Sequence, residues 1–327
     1  MPPSAATEHF PTPGRASGPH APVSWILSGA YVSLDDLARL RIPTARGPSA
    51  TAAAPWHGER AAPVRGRGMD FDEVRPYQPG DDLRSIDWRV TARKGKPHTK
   101  VFREERERPT LIVVDQTRSM FFGSQGRLKS VLAAEIAATT AWRALAAQDR
   151  VGGLVLDQSG VRVFKPLRRE AAVLRVLAAL VEANRALDAD PEPGEGASEA
   201  TTEGGDAWWR LVAPLLRIAG VNHRIVIVSD FLGASATLPD PHGAALDALA
   251  GIARHNEVAL HFVHDPLERE LPPAGRYHVT DGERRESFHS GDGGLRSAYR
   301  ARFDGHLRTL EQTASRSGMR LTQASTA

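Results

Sequence analysis

Short apolar runs rich in β-branched residues, each followed by a long segment with helical spacing, constrain this chain more than any other feature. "TLIVVD" (110–115) is continuous apolar sequence between Pro109 and a polar turn, the pattern of a parallel strand covered on both faces. "RLKSVLAAEIAATTAWRALAAQ" follows, with Leu128, Val131, Leu132, Ile136 and Leu145 on one helical stripe. "RVGGLVLD" and "VRVFKP", joined by "QSG", read as a hairpin in which Gly160 supplies a positive φ. Next come helix "REAAVLRVLAALVEANRAL", helix "AWWRLVAPLLRIAG", strand "HRIVIVSD", helix "GAALDALAGIARH" and strand "EVALHFVHD". A hairpin around "DGERR", a helix from about Gly294 to Ser317 and a strand "MRLTQA" close the chain. Parallel strands need crossovers, and crossovers of this length are helical and right-handed. The expected fold class is therefore α/β: a doubly wound, mainly parallel sheet with a smaller, irregular β-rich appendage before it.

The boundaries follow from changes in texture. Residues 1–22, rich in Pro, Ala and Gly, have the composition of a disordered tail. Residues 23–106 hold a short helix, with Ser33 as N-cap and Asp36 completing a capping box before Leu37 and Leu40, then Gly-, Pro- and Arg-rich sequence suited to irregular hairpins. Residues 107–327 form the α/β domain, interrupted at 188–206 by an acidic, low-complexity insertion expected to be disordered.

Composition then removes several classes of function. The chain has no cysteine, so thiolate catalysis, disulfides and thiolate metal sites are excluded and any metal must be held by oxygen or imidazole. No apolar stretch approaches the ~20 residues that cross a bilayer, and the first residues lack the basic start and apolar run of a secretion signal. The expectation is a cytoplasmic protein with no membrane role. A net charge of +3 is too small to mark a nucleic-acid binder. Arg84, Arg89, Arg93, Lys94, Lys96, Lys100 and Arg103 do fall close together, and beside Glu104, Glu105 and Glu107 they read first as a solvated face. Nucleic-acid binding through 84–103 stays as the alternative reading.

Both "TLIVVD" and "HRIVIVSD" end in aspartate. In an open parallel sheet, ligands bind beyond the carboxyl ends of the strands, where successive connections pass to opposite faces. If "TLIVVD" is central and "HRIVIVSD" is its neighbour across that point, Asp115 and Asp230 share one crevice. Thr117 and Ser119 stand at alternate positions after Asp115. Two carboxylates and two hydroxyls are hard oxygen ligands, matched to Mg2+ or Mn2+. Each aspartate alone could be a loop or helix cap, but capping does not explain the set.

"DQTRS" resembles the Asp-x-Ser-x-Ser motif of von Willebrand factor A domains, and "VSDFLG" the later aspartate loop of their metal-ion-dependent adhesion site. "VRPYQPGDDLRSIDWRVTARKGKPHTKVFREERE" followed by "VVDQTRSM", together with "HDPLERELPPAG", is similar to the bacterial family called domain of unknown function 58, encoded beside MoxR-type AAA+ ATPases. The resemblance implies a von Willebrand factor A-like, Rossmann-like fold. It also implies metal positions at Asp115, Thr117, Ser119 and Asp230, and a MoxR-type partner. Thr117 departs mildly from the usual serine. The threonine of an intermediate loop has no counterpart in "VFKPLRREAA", and Ser159 belongs to the hairpin turn. Partner-binding candidates from the family-like stretch are Arg75, Tyr77, Asp81, Asp82, Asp87, Trp88, Arg89 and Arg93.

Other features have plainer readings. "RGRGMD" places Gly66 and Gly68 at the start of a dinucleotide fingerprint that fails at Phe71. "PYQPGDD" is a turn in which Asp81 or Asp82 caps its own backbone. Asp87-Trp88 reads as structural, with Trp88 a core anchor, and Trp208-Trp209 as the start of a buried helix. His255, His261 and His264 have no zinc-like spacing. No nucleophile elbow, phosphate loop or acid–base pair is visible. The expected function is a non-catalytic interaction module, an adaptor working with a MoxR-type ATPase.

Overall fold

The computed structural model describes residues 27, 29–41, 69–104, 108–187, 204–232, 242–280 and 285–327. The tail 1–22, the glycines Gly66 and Gly68, and residues 188–203 of the acidic segment lie outside the described residues.

The central sheet is built from β3 (Thr110–Asp115), β4 (Val151–Asp157), β5 (Gly160–Leu167), β6 (Arg224–Ser229), β7 (Glu257–His264) and β10 (Arg320–Ser325). Its order is β10-β7-β6-β3-β4-β5. Every pairing is parallel except β4 with β5, the expected hairpin, where Gly160 has φ 141°. The chain leaves β3 toward β4 on one side and later returns to β6 on the other, so the switch point lies between β3 and β6.

Period two decides the packing. Ile112 and Val114 of β3 face α3 (Lys129–Ala146) and α4 (Glu170–Arg185), where Val131, Ala134 and Leu177 are wholly buried. Leu111 and Val113 face α5 (Gly204–Ile218) and α6 (His242–Ala253), against Leu215 and Leu249. The long α8 (Gly293–Arg316) completes that second layer through Phe303 and Leu310. Each wholly buried aliphatic side chain contributes about 1.5–3 kcal/mol. Gly153 pairs with Ile112, and an added Cβ there would overlap the Ile112 carbonyl oxygen, so the sheet centre requires a residue without one.

The short helix α1 (Leu34–Arg39) forms with the expected capping box. It belongs physically to the α/β body: Leu37 is wholly buried in the layer of α3 and α4, and its carbonyl accepts from Trp142 Nε1 at 2.9 Å. The appendage itself is a two-stranded antiparallel sheet of β1 (Met69–Pro76) and β2 (His98–Glu104), with α2 (Trp88–Lys94) between them. Asp87 caps α2 by accepting from the backbone N–H of Arg89 and Val90, and Gly95 ends it at φ 69°. Trp88 is not a core anchor: it is 71% exposed. In so short a helix the inward positions fall to Val90 and Thr91, while Trp88, Arg89, Ala92 and Arg93 share the outer face. Trp208 is buried as expected, whereas Trp209 is exposed. The helix they open, α5, begins at Gly204, inside the segment expected to be disordered. A second hairpin, β8 (Arg276–Thr280) with β9 (Arg285–His289), stands where "DGERR" predicts one.

Candidate functional site at the carboxyl end of the sheet

The neighbouring strands β3 and β6 bring Asp115 and Asp230 to one crevice, as the sequence predicts. Asp115 is 3% exposed and Asp230 2%. Burial, then the charge of Asp230, pushes the Asp115 carboxyl up to about 6. Its Oδ1 accepts from the Thr117 amide at 2.9 Å and the Thr117 hydroxyl at 2.7 Å; its Oδ2 accepts from Ser229 Oγ at 2.7 Å. Thr117 Oγ1 lies 3.3 Å from Ser119 Oγ, and Ser119 is exposed. The two hydroxyls therefore cover a buried carboxylate and open to solvent.

Local geometry holds the second loop. Ser229 Oγ accepts from the Phe231 amide at 2.8 Å while donating to Asp115, and Asp230 Oδ1 accepts from the Leu232 amide at 3.0 Å. Phe231 has φ 55°, a conformation costly for an aromatic residue. It is held there by complete burial and by stacking on Trp208, with ring centroids 5.2 Å apart. His306 Nε2 bonds the Asp230 carbonyl at 2.9 Å.

The structure adds a cation absent from the sequence reading. Lys129, in the first turn of α3, is wholly buried and reaches across the crevice. Its ammonium donates to Asp230 Oδ2 at 2.8 Å and to Glu268 Oε1 at 2.5 Å. Glu268 is fixed in turn because it is the third residue of α7 (Pro266–Arg269) and its Oε2 accepts from the Asp265 amide at 2.8 Å. Burial raises the Glu268 carboxyl, while the two carboxylates hold the Lys129 ammonium above its ordinary range against the opposing effect of burial. Asp265 is held below the usual carboxylate range, against burial, by bonds from Thr326 Oγ1 at 2.5 Å and the Ser124 amide at 2.7 Å. The last strand is thereby tied to the site loops.

Lys129, Glu268 and Ser229 were not singled out from the sequence. A signal existed for Lys129: a cation in the first turn opposes the helix dipole, so it needs a partner elsewhere. For Glu268 the signal was the capping box "DPLE".

Asp115, Thr117 and Ser119 are hard oxygens that converge, and a buried carboxylate raised by its acidic neighbour is what a cation would relieve. That part of the set fits Mg2+ or Mn2+. Asp230 differs, because its Oδ2 already accepts from a buried ammonium, Lys129 Nζ, whereas Asp115 accepts only from neutral donors. The "VFKPLRREAA" stretch could not complete the site: β5 runs antiparallel, so Leu167 pairs with Val151 at the opposite end of the sheet. The chain regains the site's end through α4, where Asn184 Nδ2 donates to Ser130 Oγ at 3.1 Å, and continues into residues outside those described.

The partner-binding candidates belong to the appendage. Arg75 pairs with Asp81 at 2.7 Å, and Asp81 also accepts from the Gln78 amide. Asp82 caps the turn at Arg84, and Asp87 pairs with Lys100 at 3.4 Å besides capping α2. These acids have structural roles. Tyr77 is half-buried, while Trp88, Arg89 and Arg93 project outward. Burial depresses His261 to about 4, in keeping with a packing role, and His264 stacks against Phe262.

Comparison with known proteins agrees with the residue pattern. The chain is 31% identical over 230 residues to the uncharacterized proteins Rv1480 of Mycobacterium tuberculosis and Mb1516 of Mycobacterium bovis, covering 69% of this chain and 65% of each relative. It thus spans slightly under two thirds of their length. Similar solved structures include the conserved hypothetical protein BatB from Bacteroides thetaiotaomicron (14% identity, 64% of this chain and 98% of that one, TM-score 0.33). Another is the SpRpn10 VWA domain (13%, 67% and 89%, TM-score 0.30). Likeness at that level says nothing of function. The family model described as protein of unknown function DUF58 matches residues 73–312, and the chain belongs to that family.

Proposed function

We propose that the protein is a non-catalytic docking module whose partner binds the carboxyl end of the central sheet. The observation that carries this is the surface around Asp115. The carboxylate itself is buried, the Thr117 and Ser119 hydroxyls lie over it, and Phe122 and Leu232 on the two flanking loops are 41% and 48% exposed. A carboxylate serving as general base must meet its substrate's proton at hydrogen-bond distance. Here both Asp115 oxygens are turned to Ser229 and Thr117, which suits support of a surface better than proton transfer. Exposed large apolar side chains such as these are what the core of a protein interface covers, with polar groups at its rim.

Mg2+ or Mn2+, where present, would be held by Asp115, Thr117 and Ser119 beside Asp230, and would supply an electrophilic point for an acidic side chain of the partner. By family resemblance, that partner is a MoxR-type AAA+ ATPase and this protein its adaptor. The test is sedimentation of the chain with its cognate ATPase, with and without nucleotide and Mg2+, against a Phe122→Ser, Leu232→Ser variant. Association lost in the variant supports the reading. No association in any nucleotide state overturns it.

A second reading rests on the outer face of α2. Trp88 is exposed on the face it shares with Arg89 and Arg93, and neither arginine forms an ion pair among the described residues. Arginines around an exposed aromatic suit single-stranded nucleic acid. That reading requires binding that falls steeply with salt, and flat titrations of labelled oligonucleotides at low salt would remove it.

A further inference from the structure

We infer that the Lys129 ammonium is the permanent counter-charge of Asp230 and Glu268, so that Lys129, rather than the aspartates alone, sets how tightly this site takes a divalent cation. The inference rests on reading the crevice as a cation-assisted docking site, but it concerns the free protein and needs no partner.

Lys129 is wholly buried at the start of a helix, where the backbone N–H groups already present positive potential. Burying an ammonium there is unfavourable unless it is paired and hydrogen-bonded. Asp230 at 2.8 Å and Glu268 at 2.5 Å meet that requirement, and each is held by a further backbone donor, Leu232 N–H and Asp265 N–H. These five groups form a closed arrangement in which all four carboxylate oxygens accept a bond.

The consequence for a divalent ion is direct. Asp230 can contribute to it only by loosening its bond to Lys129 or by holding both cations at once, with like charges opposed across a buried carboxylate. Asp115, Thr117 and Ser119 then carry the ion almost alone, leaving its remaining positions to water or to a partner's oxygen. Weak uptake in the free protein and firm uptake only with a partner follow from the same geometry.

Mn2+ is the probe, followed by its electron paramagnetic resonance signal and by thermal shift. Lys129→Met alone would strand two carboxylates, so the informative variant is Lys129→Met with Glu268→Gln. That pair removes one positive and one negative charge, leaves the net charge of the crevice unchanged, and keeps a capping residue at the third position of α7. The expected result is Mn2+ affinity at least ~10-fold above wild type, because Asp230 Oδ2 no longer holds an ammonium and can coordinate the ion, and loss of the gain when Asp115→Asn is added. Equal affinity in wild type and double variant overturns the inference. Should the double variant not fold, the wild-type Lys129 ammonium is observed directly by nitrogen-detected resonance. A signal unchanged by saturating Mg2+ supports the inference, and displacement of that signal by Mg2+ overturns it. Failure of the ATPase to bind would leave these outcomes untouched.

Discussion

Asp115→Asn should make the protein more stable at neutral pH, and the gain should vanish in acid. The ordinary carboxyl value is 3.8, and in the folded protein Asp115 is pushed up to about 6 by burial and by Asp230. The folded state therefore binds the proton more tightly than the unfolded one. Below the unfolded value both states are protonated and the residue is nearly neutral in effect. As pH rises from 3.8 to about 6, stability is lost, and above that window the loss is constant. At ~1.36 kcal/mol per pH unit the gap corresponds to about 3 kcal/mol. With Asp115 3% exposed, solvent screening removes little of it. Asparagine reproduces the bonding of the protonated carboxyl: its Oδ1 accepts from Thr117 and its Nδ2 donates to Ser229 Oγ, so that the Ser229 hydroxyl gives up the acceptor it has in the ionised state. Urea melts in chelator at about pH 7.5 and about pH 4 measure the difference. A stabilisation of about 2–3 kcal/mol at the higher pH, shrinking toward zero at the lower, is expected. Added Mg2+ should raise the wild type alone, by RT ln(1 + [L]/Kd). An asparagine variant less stable than wild type by the same amount at both pH values would refute the electrostatic account of this site.

Lys129→Met alone should cost about 3–5 kcal/mol by urea melt, because Asp230 and Glu268 are left buried with no counter-charge; adding Glu268→Gln should recover much of that loss. Gly153→Ala should cost more than ~3 kcal/mol or prevent folding, since its Cβ would enter the Ile112 carbonyl oxygen at the sheet centre. Thr326→Val should cost about 1–2 kcal/mol by releasing one bond to Asp265, with circular dichroism unchanged. Trp88→Ala should leave stability within ~0.5 kcal/mol of wild type while weakening whichever partner uses the appendage, so a large loss of stability would contradict its exposed position.

The parts of this molecule that could be read from the sequence are those whose cause is local or periodic. The central strands β3, β4 and β6 are apolar for nearly their whole length, and each ends in a polar residue, Asp115, Asp157 and Ser229. Asp115 and Asp230 could be paired in advance because each closes an apolar strand and because "DQTRS" and "VSDFLG" resemble two parts of one site. Trp88 was misread for a local reason too: a tryptophan after a capping aspartate looks like an anchor. A helix of seven residues has few inward positions, and here Val90 and Thr91 occupy them.

Lys129 is a different case. The helix dipole marks a lysine in the first turn as needing a counter-charge, but names no partner for it. Its actual position depends on Asp230 and Glu268, which lie 101 and 139 residues further along the chain. Neither is visible as a partner until β6 and β7 are laid beside β3. The same long-range assembly that hides Lys129 in the sequence makes it decisive in the crevice. A cation supplied by α3 arrives with the fold itself, at a fixed distance and without a concentration term, whereas a metal ion must compete for a carboxylate that already has its counter-charge. The metal-site motif in the first loop therefore describes what can coordinate an ion, and the residue that determines how firmly one is held lies outside that motif, on the helix behind it.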